Sequence, residues 1–156
     1  MASKLSFRRS WMLILPILTL GLVMFILAAQ PAQAATHNFN GSAGAYGSFG
    51  YHDFGAPSGA QISVQFCPSQ WGALQVYDNS WNSVRTLSGT GCQNASLTST
   101  GGTYHLGGNN GGGGTMTYTI TVDVVVPDDD GDGIGNASDA CPTTAGHASA
   151  NGCPDA

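Results

Sequence analysis

The stretch that most limits what this chain can become is 115–126, which reads Thr-Met-Thr-Tyr-Thr-Ile-Thr-Val-Asp-Val-Val-Val. Met116, Tyr118, Ile120, Val122 and Val124 fall on one side of an extended backbone, and Thr115, Thr117, Thr119, Thr121 and Asp123 on the other. Period-two alternation of this length, rich in β-branched residues, predicts a strand with one buried face and excludes a helix. Such a strand needs partners, and shorter alternations upstream supply them. Ile62, Val64 and Phe66 alternate before Cys67-Pro68, and Leu74 and Val76 before the turn Asp78-Asn79-Ser80. Val84 and Leu87 lie in the segment that follows, and Tyr104 and Leu106 in a further short strand. The glycine-rich run 107–114 is expected to be a flexible hairpin loop, and 40–50 either a strand with tight turns or a disordered lead-in. No segment has helical periodicity. Short strands between Gly, Asn and Ser turns predict an all-β fold, an antiparallel β-sandwich or jelly roll, over residues 35–126. About ninety residues bury one modest core.

What precedes this domain reads as an address. Lys4, Arg8 and Arg9 lead into an apolar run from Trp11 to Ala29, followed by Pro31 and the small-residue pattern Ala32-Gln33-Ala34. That order predicts a secretory signal peptide over 1–34, cleaved after Ala34. The rival is a retained membrane anchor, since the apolar run is near the length that spans a bilayer. Without the leader the chain keeps Arg85 as its one basic side chain against nine aspartates, so one cation less nine anions leaves a formal charge of −8. A surface with one cation cannot neutralise a row of phosphates, which disfavours nucleic acid and anionic membranes as partners. Membrane contact is then expected only through an uncleaved leader. Four cysteines remain, at 67, 92, 141 and 153. An even count in an exported chain predicts two disulfides with three connectivities, of which order and position favour Cys67–Cys92 with Cys141–Cys153.

After Pro127 the apolar periodicity stops. Residues 128–139 read Asp-Asp-Asp-Gly-Asp-Gly-Ile-Gly-Asn-Ala-Ser-Asp. With Asp128 at position 1, carboxylates fall at 1, 3, 5 and 12 (Asp128, Asp130, Asp132, Asp139), glycine at 6 and Ile134 at 7. A hard cation such as Ca²⁺ takes six to eight oxygens, and this spacing wraps carboxylates, the Ile134 backbone carbonyl and Asn136 around one. Asn136 would act directly or through a water. Asp129 falls at a non-ligand position. A solvated acidic tail would not need this register of aspartates and glycines.

The flanks distinguish the kind of loop. A strand and Pro127 precede it and Cys141-Pro142 follows, so the helices of an EF-hand are missing. The run 127–154, through Asn151-Gly-Cys-Pro154, resembles a thrombospondin type 3 repeat. That resemblance implies an extracellular, irregular calcium-binding repeat braced by disulfides, serving as a linker or stalk. Asn136 departs from the pattern, which commonly has Asp there. So does the single copy: Asp155 stands where a next acidic loop would begin, and a truncated or short relative of a multi-repeat protein is expected. Residues 45–125, through Ile62–Phe66, Ala73–Asp78, Gly102–Leu106 and the closing strand, more loosely resemble a pre-peptidase C-terminal-type jelly-roll domain.

Catalytic signatures are missing. There is no Gly-x-Ser-x-Gly, no His-Glu-x-x-His and no Walker-type loop, and the chain has no glutamate. His52 and Asp53 are neighbours in sequence, which by itself builds no dyad. Trp71 and Trp81, with Tyr77 between them, form a stacking platform for sugar rings, or else one or both tryptophans fill the core or cover a sheet edge. Asn94-Ala-Ser96 and Asn136-Ala-Ser138 match glycosylation acceptors. The expected function is a secreted or cell-surface, non-enzymatic calcium-binding protein with a structural or adhesive role, its partners an extracellular protein or polysaccharide. The alternative is a carbohydrate-binding, targeting module of a longer secreted hydrolase.

Overall fold

The computed structural model describes residues 34–154, so the leader expected over 1–34 lies outside the described residues except for its last residue, Ala34, which opens the first strand. Eight strands follow one another: β1 (Ala34–Ala43), β2 (Ser48–Ala56), β3 (Gln61–Pro68), β4 (Gly72–Tyr77), β5 (Ser83–Gly89), β6 (Gln93–Thr98), β7 (Gly102–Asn110) and β8 (Met116–Val125). They form two four-stranded antiparallel sheets, ordered β1-β8-β3-β6 and β2-β7-β4-β5. The pairings β1·β8, β2·β7, β3·β6 and β4·β5 describe one long ribbon folded back on itself. Wrapping that ribbon brings β3 against β8 and β4 against β7, which completes the sheets as a jelly roll.

The closing strand behaves as its alternation requires. Met116, Tyr118, Ile120, Val122 and Val124 are buried, while their threonine neighbours face outward. They meet Ile62, Val64 and Phe66 of the same sheet, and Leu74, Val76, Tyr104 and Leu106 of the other. Period-two burial on both sheets makes a two-layer core, in which each large apolar side chain contributes about 1.5–3 kcal/mol. The disulfide Cys67–Cys92 joins the end of β3 to the start of β6 across a separation of 25 residues. Closing a loop of that length stabilises the fold by roughly 3 kcal/mol through the unfolded chain.

Two expectations need correction or completion. The run 107–114 is not a hairpin loop: 107–110 completes β7, pairing with both β2 and β4. Since β7 and β8 belong to different sheets, the remaining 111–115 is a crossover between layers. Asn110 ends β7 fully buried, and its amide nitrogen donates to the carbonyls of Gly44 and Gly114 at 2.8 and 2.7 Å. That side chain pins the glycine crossover to the β1–β2 turn. Of the two options for 40–50, the structure takes the strand with a tight turn, and Gly41 leaves room over β1 for the Tyr118 hydroxyl.

Beyond Val125 there are no strands among the described residues, only a short 3₁₀ turn at Ala148–Ala150. The segment is tied by Cys141–Cys153, the second favoured pair. Two disulfides fit an oxidising compartment outside the cytosol. Among the described residues, no helix is long and apolar enough to cross a membrane.

Candidate functional site

Two regions hold the residues singled out from sequence. The first is the acidic segment. One carboxylate oxygen each from Asp128, Asp130 and Asp132 lies within 4.8 Å of the others. Backbone amides shape this cluster: Asp128 accepts from Gly131 and Gly133, both at 2.9 Å, through separate oxygens. Asp132 accepts from Ile134 at 2.9 Å and, with its other oxygen, from Gly146 at 3.1 Å. Gly131 and Gly133 stand at φ 75° and 90°, the left-handed region where glycine avoids a Cβ clash. Only Gly133 was legible as a turn from the spacing.

Asp139 lies outside the group of three. Its Oδ1 accepts from the Cys141 amide at 2.7 Å, while its Oδ2 is buried without a hydrogen-bond partner. Asp130 Oδ2 is buried and unpartnered in the same way. Burial, and then the charges of Asp132, Asp139 and Asp128, push the Asp130 carboxyl above its ordinary 3.8. The Asn136 side-chain oxygen accepts from the Asp129 amide at 2.9 Å, and its own amide donates to Pro127 at 2.8 Å, closing the neck of the loop. Asp129 itself is exposed. No backbone amide among the described residues donates to the Ile134 carbonyl. This donor set is all oxygen, crowded with negative charge, and includes buried acceptors that no protein donor satisfies. A hard divalent cation fits it chemically.

The second region is the outer face of the β2-β7-β4-β5 sheet. Trp71 and Trp81 are both exposed, at 46% and 52%, so neither fills the core. They do not share a platform: Trp71 precedes β4 and packs on Gly111 of the crossover, whereas Trp81 follows β4 in the turn to β5. Tyr77 sides with Trp81, their ring centroids 6.0 Å apart. Tyr51 joins them from β2, edge-on to Trp81 at 5.1 Å and to Tyr77 at 6.2 Å. Sequence reasoning missed Tyr51 because a bulge between Phe49 and His52 breaks the alternation of β2.

Trp81 is held firmly. Its indole lies flat on His105 at 3.9 Å with an interplanar angle of 2°, and His105 Nδ1 pairs with Asp53 Oδ1 at 2.7 Å. His52 points the other way, to the Tyr118 hydroxyl at 3.0 Å, so His52 and Asp53 serve opposite faces of the sheet. The turn is built on Asp78, whose carboxylate accepts from the amides of Ser80 and Asn82, both at 2.9 Å. Those bonds, the Asn82 side chain foremost, hold the Asp78 carboxyl below its ordinary 3.8. The turn places Trp81 at φ 63°. That left-handed backbone costs a non-glycine residue on the order of 1 kcal/mol.

No protein-family model matches the chain, and no curated protein matches it. Among solved structures, it is similar to PliG from Aeromonas hydrophila, a periplasmic lysozyme inhibitor of g-type lysozyme. There the identity is 16% and the TM-score 0.45, over 60% of this chain and 87% of that one. It is also similar to the Yersinia pseudotuberculosis-derived mitogen, at 16% identity and a TM-score of 0.43, covering 63% and 89% of the two chains. A third similarity is to a carbohydrate binding module from Cellvibrio mixtus lichenase 5A, solved with cellotriose. It has 12% identity and a TM-score of 0.31, over 60% and 88% of the chains.

Proposed function

We propose that this chain is an exported, non-enzymatic binding protein, in which a jelly-roll module is joined to a thrombospondin type 3-like segment that takes Ca²⁺. The convergence of Asp128, Asp130 and Asp132, with a buried Asp130 oxygen that no donor reaches, carries this reading. A bound cation would supply the positive charge those oxygens lack. Asp128, Asp130 and Asp132 are the primary ligands, Asp139 offers its free oxygen, and the Ile134 carbonyl is open to join them. Asn136 closes the loop neck and so positions the first carboxylate. The role is structural: among the described residues the segment has only a short 3₁₀ turn and no α-helix to swing, so the ion stiffens the chain where an EF-hand would switch. Calorimetric titration of the mature protein with calcium should show a site, abolished by Asp128→Ala or Asp132→Ala. No heat and no thermal stabilisation by calcium would sink this reading.

A second reading concerns the sandwich. Exposed aromatic rings gathered on one sheet favour a module that binds carbohydrate, as a targeting unit of a longer secreted hydrolase or as an adhesive domain. A glycan array with the mature protein tests it, expected to register uncharged glycans above background.

A further inference from the structure

The outer face of the β2-β7-β4-β5 sheet is built for one kind of ligand. We infer that Tyr51, Tyr77 and Trp81 form a binding site for an uncharged polysaccharide, and that Trp71 is not involved in it. This rests on the carbohydrate reading of the sandwich and assigns that reading its residues and ligand class.

The face is constructed at a cost to the backbone. An exposed tryptophan at a left-handed φ of 63° is an unfavourable choice that the turn holds in place, with its ring stacked on His105 and His105 fixed by Asp53. Backbone strain at a residue whose side chain stays exposed points to what that side chain does. Gly107 adds to it: a Cβ there would collide with the Tyr51 ring, so the bare backbone of β7 lets Tyr51 pack close over it and reach Trp81. Three side chains from β2, β4 and the β4–β5 turn are thereby fixed at mutual distances of 5.1 to 6.2 Å.

Its chemistry suits a sugar. Ring faces pack against the C–H face of a sugar as against any apolar group, and the polar rim meets its hydroxyls. That rim is present: the Asp53 side chain is 58% exposed, and Gln75 lies outward on β4 bonded to the Tyr77 hydroxyl. Charge then selects among glycans. Arg85, the one basic residue left beyond the leader, is engaged by the carbonyls of Ser96 and Val84 at 3.0 and 2.7 Å. With a formal charge of −8, the exported chain repels uronic acids, sulfated sugars and nucleic acids. A second copy of the chain fits less well. A stable dimer buries about 800 Å² per partner, whereas the exposed rings of Tyr51 and Trp81 with the partly buried Tyr77 offer at most roughly 300 Å².

The test is affinity electrophoresis of the mature chain through native gels containing hydroxyethylcellulose, soluble xylan, mannan or amylopectin, with and without calcium. At least one uncharged polymer should retard the protein, and alginate should not. Trp81→Gly is the decisive variant, because glycine accepts the left-handed turn without strain and the fold keeps its thermal midpoint. It should weaken retardation by about tenfold or more, as should Tyr51→Ala, while Trp71→Ala leaves it unchanged. Undiminished retardation in Trp81→Gly, loss in Trp71→Ala, or no retardation by any uncharged polymer overturns the inference. Concentration-dependent dimerisation abolished by Trp81→Gly overturns it in favour of a second copy. Calcium heat from the acidic segment is measured separately, so failure here leaves that reading standing or falling by itself.

Discussion

The jelly roll and the acidic segment hold their shape by opposite means. In the sandwich, two sheets bury an apolar core from Phe66 and Ile120 to Leu74 and Leu106, each fully shielded from solvent. From Val126 to Pro154 the one buried residue is Gly152, and it has no side chain. Order there comes from backbone amides donating to aspartates, from Cys141–Cys153, and from a few contacts such as Ala137 beside Gly59. A core of this kind is self-sufficient, because burying apolar surface needs nothing beyond the chain. A cluster of carboxylates is not, because gathering like charges costs energy until something neutralises them. The first region should answer to packing, the second to redox state and cations.

That contrast can be broken in four ways. Phe66→Ala removes a fully buried ring between the sheets and should cost about 3–5 kcal/mol, read as a lower denaturant midpoint for the whole sandwich. If it cost nothing, the core would not be the source of stability. Replacing Cys141 and Cys153 with serine should loosen the acidic segment by about 3 kcal/mol while leaving the sandwich midpoint alone, which hydrogen exchange resolves region by region. A matching drop in the sandwich would show the two regions to be one cooperative unit. Calcium at a hundredfold excess over its dissociation constant should protect amides of 128–146 by about 2.7 kcal/mol and leave β-strand amides unmoved. Asp132→Ala should erase that protection.

The smallest effect lies in the turn under Trp81. The Asp78 carboxyl is lowered in the fold, so its contribution is present above the ordinary value of 3.8 and is lost as pH falls through the folded value. Trp81 fluorescence, read in a Trp71→Phe background, should therefore shift reversibly as pH falls into the acid range, and Asp78→Ala should remove that acid transition. A spectrum constant in pH would separate the indole's placement from the Asp78 bonds.

Legibility only partly followed the same divide. Strand β8 could be read outright because every second residue is apolar and each is buried, and β3 and β4 for the same reason in shorter form. Both disulfides matched the pairing that chain order favours. The end of β7 is not legible as a strand because Gly107-Gly108-Asn109-Asn110 has the composition of a loop. Its strand is imposed from outside: a side chain at Gly108 would strike the Phe49 ring and the Ala73 carbonyl, so neighbours fill the space that a β-branched residue fills elsewhere. The aromatic face was half legible. Trp81 and Tyr77 are near in sequence, but Tyr51 reaches them only through the pairing of β2 with β7 and β7 with β4. In the acidic segment the spacing picked out Asp128, Asp130 and Asp132, which converge, but also Asp139, which lies outside their group, and it did not foretell that Asn136 would commit its oxygen to the Asp129 amide.

The pairing of Ala34 with Val125 has a mechanical consequence. The two strands run antiparallel, so the chain enters β1 and leaves β8 at the same pole of the sandwich. Tension applied through those two points pulls the strands apart sideways, and their hydrogen bonds lie along that pull. The bonds would break in sequence, as a zipper opens, where a shear geometry would make them resist together. A tether pulled through both points would therefore yield at β1 first.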